Sequence, residues 1–515
     1  MFNKRTKMKK MNILECIAIL TITASLTACS NSDDPDNSGK KTTETYTWTT
    51  DGGLKACDHV LFTNGKEDVN GTEIGNGDQE FVFNGNQTLK KGTYNLKGWV
   101  YIANGATLTI EPGTIIKGDK TTKGALIAER GGKLIAKGTA SEPIVFTSAQ
   151  PAGNRKPGDW GGIILCGKAI NNQTEMQIEG GPRTKHGGND NNDSSGVLSY
   201  VRIEFAGYPF EKDKEINGLT FGSVGSGTQV DHIQVSYSND DSYEWFGGCV
   251  NAKYLIAYKG WDDDFDTDNG YSGKVQFGLV VRDSKIADTS QSNGFESDNC
   301  ADGSAVSPYT SCTFSNITFV GPRLDANFQN TTDFINGGNV YPNNGSALGK
   351  FQAAMQIRRN SRLNCFNSFA IGYPIGIILD NQKGDTQGAA TSGLLKLQNI
   401  WFADMGVTGS DANKSYDDVL VTGYDSNSKP VYDTTKKSFS STFFEAQANN
   451  KVYKDGTSLI SSNGYTPLAN SPLLTAASFT DMDNWFTQVS YIGAFSTNDT
   501  WMSGWTELDP ENAAY

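Results

Sequence analysis

Residues 251–260 read NAKYLIAYKG and residues 274–283 read KVQFGLVVRD. In both, apolar and polar side chains alternate, and the run ends near a polar or glycine turn. Two further copies stand upstream, LSYVRIEFAG from Leu198 and VDHIQVSYSN from Val230, so successive starts are 32, 21 and 23 residues apart. Looser copies continue the series: SCTFSNITFVG from Ser311, LNCFNSFAIG from Leu363 and LKLQNIWFAD from Leu395. Alternation at period two marks a strand with one face buried. Self-similarity at a spacing of about 20 to 50 residues marks a solenoid or a related array. No helical pattern separates the copies, so the array is built from strands. The earlier half agrees. GWVYIANGATLTIEPGTIIKGD (98–119) and GALIAERGGKLIAKGTASEPIVFTS (124–148) alternate and break at Gly, Asn and Pro, which turns Leu108 and Ile110 inward. The pattern predicts an all-β chain, a parallel β-helix over 88–415, with an ordinary β-sandwich as the competing architecture. Residues 46–87 form a leading segment. Residues 416–515 carry clustered aromatic residues and are expected to cap the last rungs, since an open solenoid end is an exposed sheet edge.

The composition fits. Fifty-seven glycines in 515 residues favour a turn-rich β protein. Lys4, Arg5, Lys7, Lys9 and Lys10 precede the apolar run ILECIAILTITASL, and LTAC follows at 26–29. Charge, apolar core and cysteine in that order resemble a bacterial lipoprotein signal over 1–28, with Cys29 as the lipidated residue. SNSDDPDNSGKK then makes an acidic, flexible tether across 29–45. An acidic tract at that place is similar to the surface-export signals of Bacteroidota lipoproteins. The expected location is therefore the outer membrane, lipid-anchored, facing the cell exterior. Loss of the signal removes five basic groups and Glu15, which takes the formal charge from −13 to about −17. That charge opposes nucleic acid and suits cations, basic partners or neutral glycans.

GWDDDFDTDNGYSG (260–273) holds five aspartates in seven positions. Aligned beneath SYEWFG from Ser242 and above GFESDN from Gly294, its DFDTDN places Tyr243, Phe265 and Phe295 in one column. Glu244, Asp266 and Glu296 fall in the next, and Asp268 and Asp298 stand beside them. With the rings inward, the acids point outward together. Rungs lie about 4.8 Å apart, and two like charges at that spacing repel by about 3 kcal/mol at an effective dielectric of 20. A divalent cation offsets this, and carboxylate oxygens suit Ca2+. The candidate metal ligands are Glu244, Asp266, Asp268, Glu296 and Asp298, with Asp262 and Asp264 on the margin of the cluster; a solvated acidic face without an ion is the alternative. Trp245, Trp261 and Tyr271 flank the acids and are candidate sugar-stacking residues, with core packing as the competing role. Cys300 and Cys312 bracket a short loop and form the candidate disulfide, permitted by export.

GATLTIEPGTIIKG, GDWGGIILCGKA, the run from Asp241 to Gly278, NGFESDN and VSYIGAF…GWTELDP together resemble a family of Bacteroidota surface lipoproteins. The resemblance covers roughly residues 90–515. It implies a right-handed parallel β-helix of the pectin-lyase type and brings no established activity. Some relatives bear transporter labels, which are set aside because no apolar span follows the signal. Three functions remain open. The first is a non-catalytic cell-surface binder of a glycan or surface protein, assisted by calcium. The second is a polysaccharide lyase or glycoside hydrolase on this scaffold, which needs an Arg or Lys base beside the acids; Arg358 falls near the stacking position of Asp298. The third is an accessory lipoprotein of an outer-membrane nutrient-uptake complex. The three histidines, His59, His186 and His232, are far apart in sequence and form no zinc motif.

Overall fold

In a computed structural model, residues 48–51, 54–173, 176–178, 183–211, 214–338 and 349–515 are described. The signal, Cys29 and the tether lie outside them. One rung shows the plan. Phe265–Asp268 is its first strand, Asn269 and Gly270 turn the chain with φ of 54° and 86°, and Lys274–Val281 is its second strand. A left-handed pair of this kind is what Asn-Gly supplies at low cost. First strands stack on first strands and second on second, which gives a 13-stranded sheet and a 17-stranded sheet. From Leu54–Cys57 to Val407–Ser410 every pairing in the first sheet is parallel. This is the all-β parallel β-helix that the repeats predict.

The register agrees with the sequence alignment at Tyr243, Phe265 and Phe295, which pair in one column. Among the long strands Leu198 pairs with Val230, as aligned, but Val230 pairs with Ala252 rather than Asn251. The slip has a packing cause. Val230 and Ala252 face the core, where Asn251 would bury an amide.

Each long strand bends once, at a residue in the left-handed region. These residues stack as a corner ladder: Tyr200, His232, Tyr254, Phe277, Asn316, Asn367 and Asn399. The first four stack ring on ring, His232 at 4.2 Å from Tyr200 and 4.4 Å from Tyr254. The last part is an amide ladder, in which Asn399 Nδ2 donates to Asn367 Oδ1 at 2.7 Å. Before residue 196 the two legs are separate strands, and Lys133–Lys137 and Ile144–Ser148 both pair with the single strand Gly196–Glu204.

The helix runs further at both ends than 88–415. Leu54–Cys57 and Phe81–Phe83 already pair in parallel, and Lys451–Tyr453 pairs with Leu397–Ala403. Strands of three or four residues are too short for alternation to announce them. The helix Phe439–Ala446 closes the end of the first sheet, with Phe444 stacked on Phe402 at 4.1 Å. The expectation that all of 416–515 sits at that end needs correction. From about Pro472 the chain leaves it and runs back along the corner ladder. Asn399 donates to Ala476 O, Asn316 to Tyr491 O, Gln234 to Glu507 O and Arg155 to Pro510 O. Trp501 and Trp505 pack on Tyr254 and His232. The polar corner groups need partners, and this strap supplies them.

Candidate functional site: an acidic face on the first sheet

Alternation in the first sheet turns Tyr243 and Trp245 inward and Glu244 and Phe246 outward. Outward column one runs Thr220, Glu244, Asp266, Glu296, Gln356. Column two runs Phe246, Asp268, Asp298, Arg358, Asp380. Its register is carried by backbone bonds from Asp298 N to Thr267 O, Arg358 N to Ser297 O and Asp380 N to Ile357 O. Just before the strands, Asp263 N donates to Asp241 Oδ1 at 2.8 Å and Asn293 N to Asp263 Oδ1 at 2.5 Å. Three rungs thus bring Asp241, Glu244, Asp263, Asp266, Asp268, Glu296 and Asp298 to one patch.

The carboxylates converge. Ligand oxygens of Asp241, Glu244 and Asp266 lie within 4.8 Å of one another, as do those of Asp240, Asp241 and Asp262. Asp240, Asp241 and Asp263 were missed from sequence. The signal was there: Asp240 and Asp241 stand the same 22 residues before Asp262 and Asp263 as Tyr243 before Phe265. Burial, then repulsion from Glu296, Asp298 and Asp268, pushes the Asp266 carboxyl well above its ordinary range. Burial and neighbouring acids do the same to Asp241, Asp262 and Asp263. Asp268 is raised to about 8 by burial and Asp298. Two buried oxygens, Asp266 Oδ1 and Asp262 Oδ1, have no hydrogen-bond partner among the described residues. Such oxygens are costly unless a proton or cation meets them.

Arginines offset part of the charge. Arg358 bonds both Glu296 and Asp298, the latter at 2.9 Å, and Arg359 reaches Asp298 at 2.6 Å. Burial works against the charged guanidinium, but Glu296 and Asp298 outweigh it and hold Arg358 above the ordinary arginine range. The sequence placed Arg358 beside Asp298, and the structure does so.

Several candidates change position. Asp264 does not face outward. It forms a fully buried pair with Arg282 at 3.0 Å, and its carboxyl is raised to about 7 by burial against the opposing effect of that arginine. Asp262 keeps the marginal place expected of it and accepts from Ser290 Oγ at 2.5 Å. Trp245, Trp261 and Tyr271 are core residues, at most 1% exposed. Trp245 shares the inward parity of Tyr243 and stacks on Phe221 and Tyr271, and Tyr271 Oη donates to Val250 O. Sugar stacking by these three is ruled out by burial. Cys300 and Cys312 are both free thiols: Cys300 Sγ donates to Asp302 Oδ1 at 3.1 Å, while Cys312 is fully buried. A loop that brackets two cysteines does not by itself bring their sulfurs together.

Among the described residues no helix is long and apolar enough to cross a membrane. A comparison with curated proteins returns no match. Among solved structures the Dettilon tailspike protein aligns at 12% identity with a TM-score of 0.23, over 64% of this chain and 60% of the tailspike chain. A likeness that slight carries no statement about this molecule. The family comparison is different in kind: residues 82–506 match the pectate-lyase-like β-helix domain. With parallel rungs through Lys451–Tyr453 of that span and an acidic face on the first sheet, the chain belongs to the pectate-lyase-like β-helix domain family.

Proposed function

We propose that this chain is a lipid-anchored cell-surface protein whose β-helix binds a glycan or a protein partner without catalysis, through a calcium ion held in the acidic face. The observation that carries the reading is the convergence of Asp241, Glu244 and Asp266 within 4.8 Å, beside unpartnered buried oxygens. Oxygen donors in this number suit calcium better than magnesium, which demands tighter octahedral geometry. The cation would hold water or partner hydroxyls and carboxylates on its open side. Since the three aromatic candidates are core, recognition rests on the acids and the ion rather than on ring stacking.

The family favours one second reading, a polysaccharide lyase. Such an enzyme needs a neutral base beside the acids. Arg358 is the nearest basic group, and its two ion pairs hold it protonated, which favours binding over elimination. The test is a glycan array in calcium and in chelator, with ultraviolet absorbance for unsaturated products and a reducing-end assay on each hit. Calcium-dependent binding without product supports the binder. Product formation replaces it with the lyase or hydrolase, and equal binding in chelator removes the ion.

A further inference from the structure

A second feature lies on the first sheet, at turns two to four rungs before that of Glu244. The turns after Trp99–Ile102, Ala125–Ala128 and Gly162–Cys166 carry Asn104, Arg130 and Lys168 in three successive rungs. With Arg183, Lys185 and the loop 187–190 they enclose a cavity of about 640 Å³. Four cations line it against two acids, Glu129 and Asp190, on a chain of net charge −13. Arg183 pairs with Glu129 at 2.5 Å, so these two charges cancel. Arg130 donates to Gly187 O at 3.1 Å, which orients its guanidinium without neutralising it. Among the described residues neither Arg130 nor Lys168 has a carboxylate partner. The charge on Arg130 is felt nearby, since burial and then Arg130 hold the His186 imidazole neutral, down to about 3.

Gly131 opens the floor. Its φ is +87°, and a Cβ there would lie 2.1 Å from Asn104 Oδ1 and 2.7 Å from Lys168 Nζ. The amide oxygen of Asn104 and the ammonium of Lys168 therefore meet over a residue with no side chain, which leaves Arg130 and Lys168 as the donors. Convergent, unneutralised donors around open space are the arrangement an oxyanion requires. A planar guanidinium gives two parallel donors and an ammonium gives a compact charge, which together suit a carboxylate or a sulfate.

We propose that this pocket is an anion subsite in which Arg130 and Lys168 receive a carboxylate or sulfate group, carried by a glycan on the reading given above. The acidic face and this pocket would then divide the work. One holds a cation, and the other holds the negative group of the same or another chain directly, without a metal.

The test is titration calorimetry at low ionic strength in chelator, which leaves the acidic face free of metal. Sodium sulfate is the first probe; a sulfated and a uronate-containing oligosaccharide follow. The wild-type protein is expected to bind sulfate and one of the two oligosaccharides, and to lose affinity as salt rises. Arg130→Gln with Lys168→Gln should weaken both by at least about tenfold, the order of one lost charge-assisted hydrogen bond. Asn104→Asp, a second and milder variant, should weaken them too, with an unchanged melting curve as the check on folding. Sulfate binding without any glycan binding keeps the anion subsite and removes the glycan reading. No sulfate binding by the wild type, or equal binding by the variants, overturns the proposal.

Discussion

Asp268 shows how a single residue ties the fold to pH. Its folded-state carboxyl titrates near 8, and Asp264 near 7, each far above the ordinary aspartate value of 3.8. A carboxyl raised on folding stabilises the protein while protonated, and that stability is lost as pH rises through the folded value. Without metal, the melting temperature should therefore fall between about pH 4 and pH 8. Calcium needs the ionised acids, so its stabilising effect should grow over the same range, to about 2.7 kcal/mol at a hundredfold excess over the dissociation constant. Scanning calorimetry at pH 5, 6.5 and 8, with calcium and with chelator, measures both slopes. Coincident curves at pH 8 would reject the ion. Asp266→Asn with Asp268→Asn should abolish the calcium shift and raise the metal-free melting temperature, because two repelling charges leave a buried patch. A metal-free melting temperature below wild type would mean these acids serve as hydrogen-bond acceptors instead.

At the scale of elements the rungs are held by two ladders. Inside, Tyr243 stacks on Phe265 at 5.5 Å, Phe295 lies tilted against Phe265 at 5.9 Å, and Phe265 and Phe295 meet Phe314. Phe265→Ala leaves a hole between rungs that cannot collapse, and should cost about 3–5 kcal/mol in a denaturation experiment. At the corner, Asn367 donates to Ser478 O at 2.9 Å and accepts from Ser478 N at 2.8 Å and from Asn399. Its φ is 49°, a region that asparagine tolerates and alanine does not. Asn367→Ala should cost about 1–3 kcal/mol and loosen the strap. Faster hydrogen exchange in 476–482, with the rungs unchanged, is the expected sign. Uniform exchange would show that the strap is held elsewhere.

For the whole molecule, the rigid rung stack presents the acidic face and the cationic pocket on one sheet, while the strap covers the opposite corner. Display at the cell surface is proposed from the acidic tract that follows the anchoring cysteine. Cys29→Ser should leave an unprocessed or soluble form that no longer labels with palmitate, and external protease should shave the wild type from intact cells. Membrane retention of the labelled variant would refute the anchor, and protection of the wild type until lysis would place it inside the outer membrane.

Much of this was legible in the chain. Period-two alternation and the column of Tyr243, Phe265 and Phe295 determined the β-helix and the register of those rungs in its first sheet, because one buried face leaves a strand no freedom to slip. The same alignment determined that Glu244, Asp266 and Glu296 share a column and that Arg358 meets Asp298. What it left open was depth. Trp245, Trp261 and Tyr271 leaned toward core one by one yet could serve as surface rings, and only packing across the rung placed all three inside. Asp264 looked like one more outward acid until Arg282, eighteen residues on, met it in the interior. Cys300 and Cys312 were near in sequence but have no bond. The strap could not be read at all, since its partners lie up to 398 residues away and many of its contacts go to backbone oxygens that any sequence possesses. Sequence records which side chains share a face. Which surface another segment then covers depends on contacts between distant parts of the chain, and those exist only in the folded molecule.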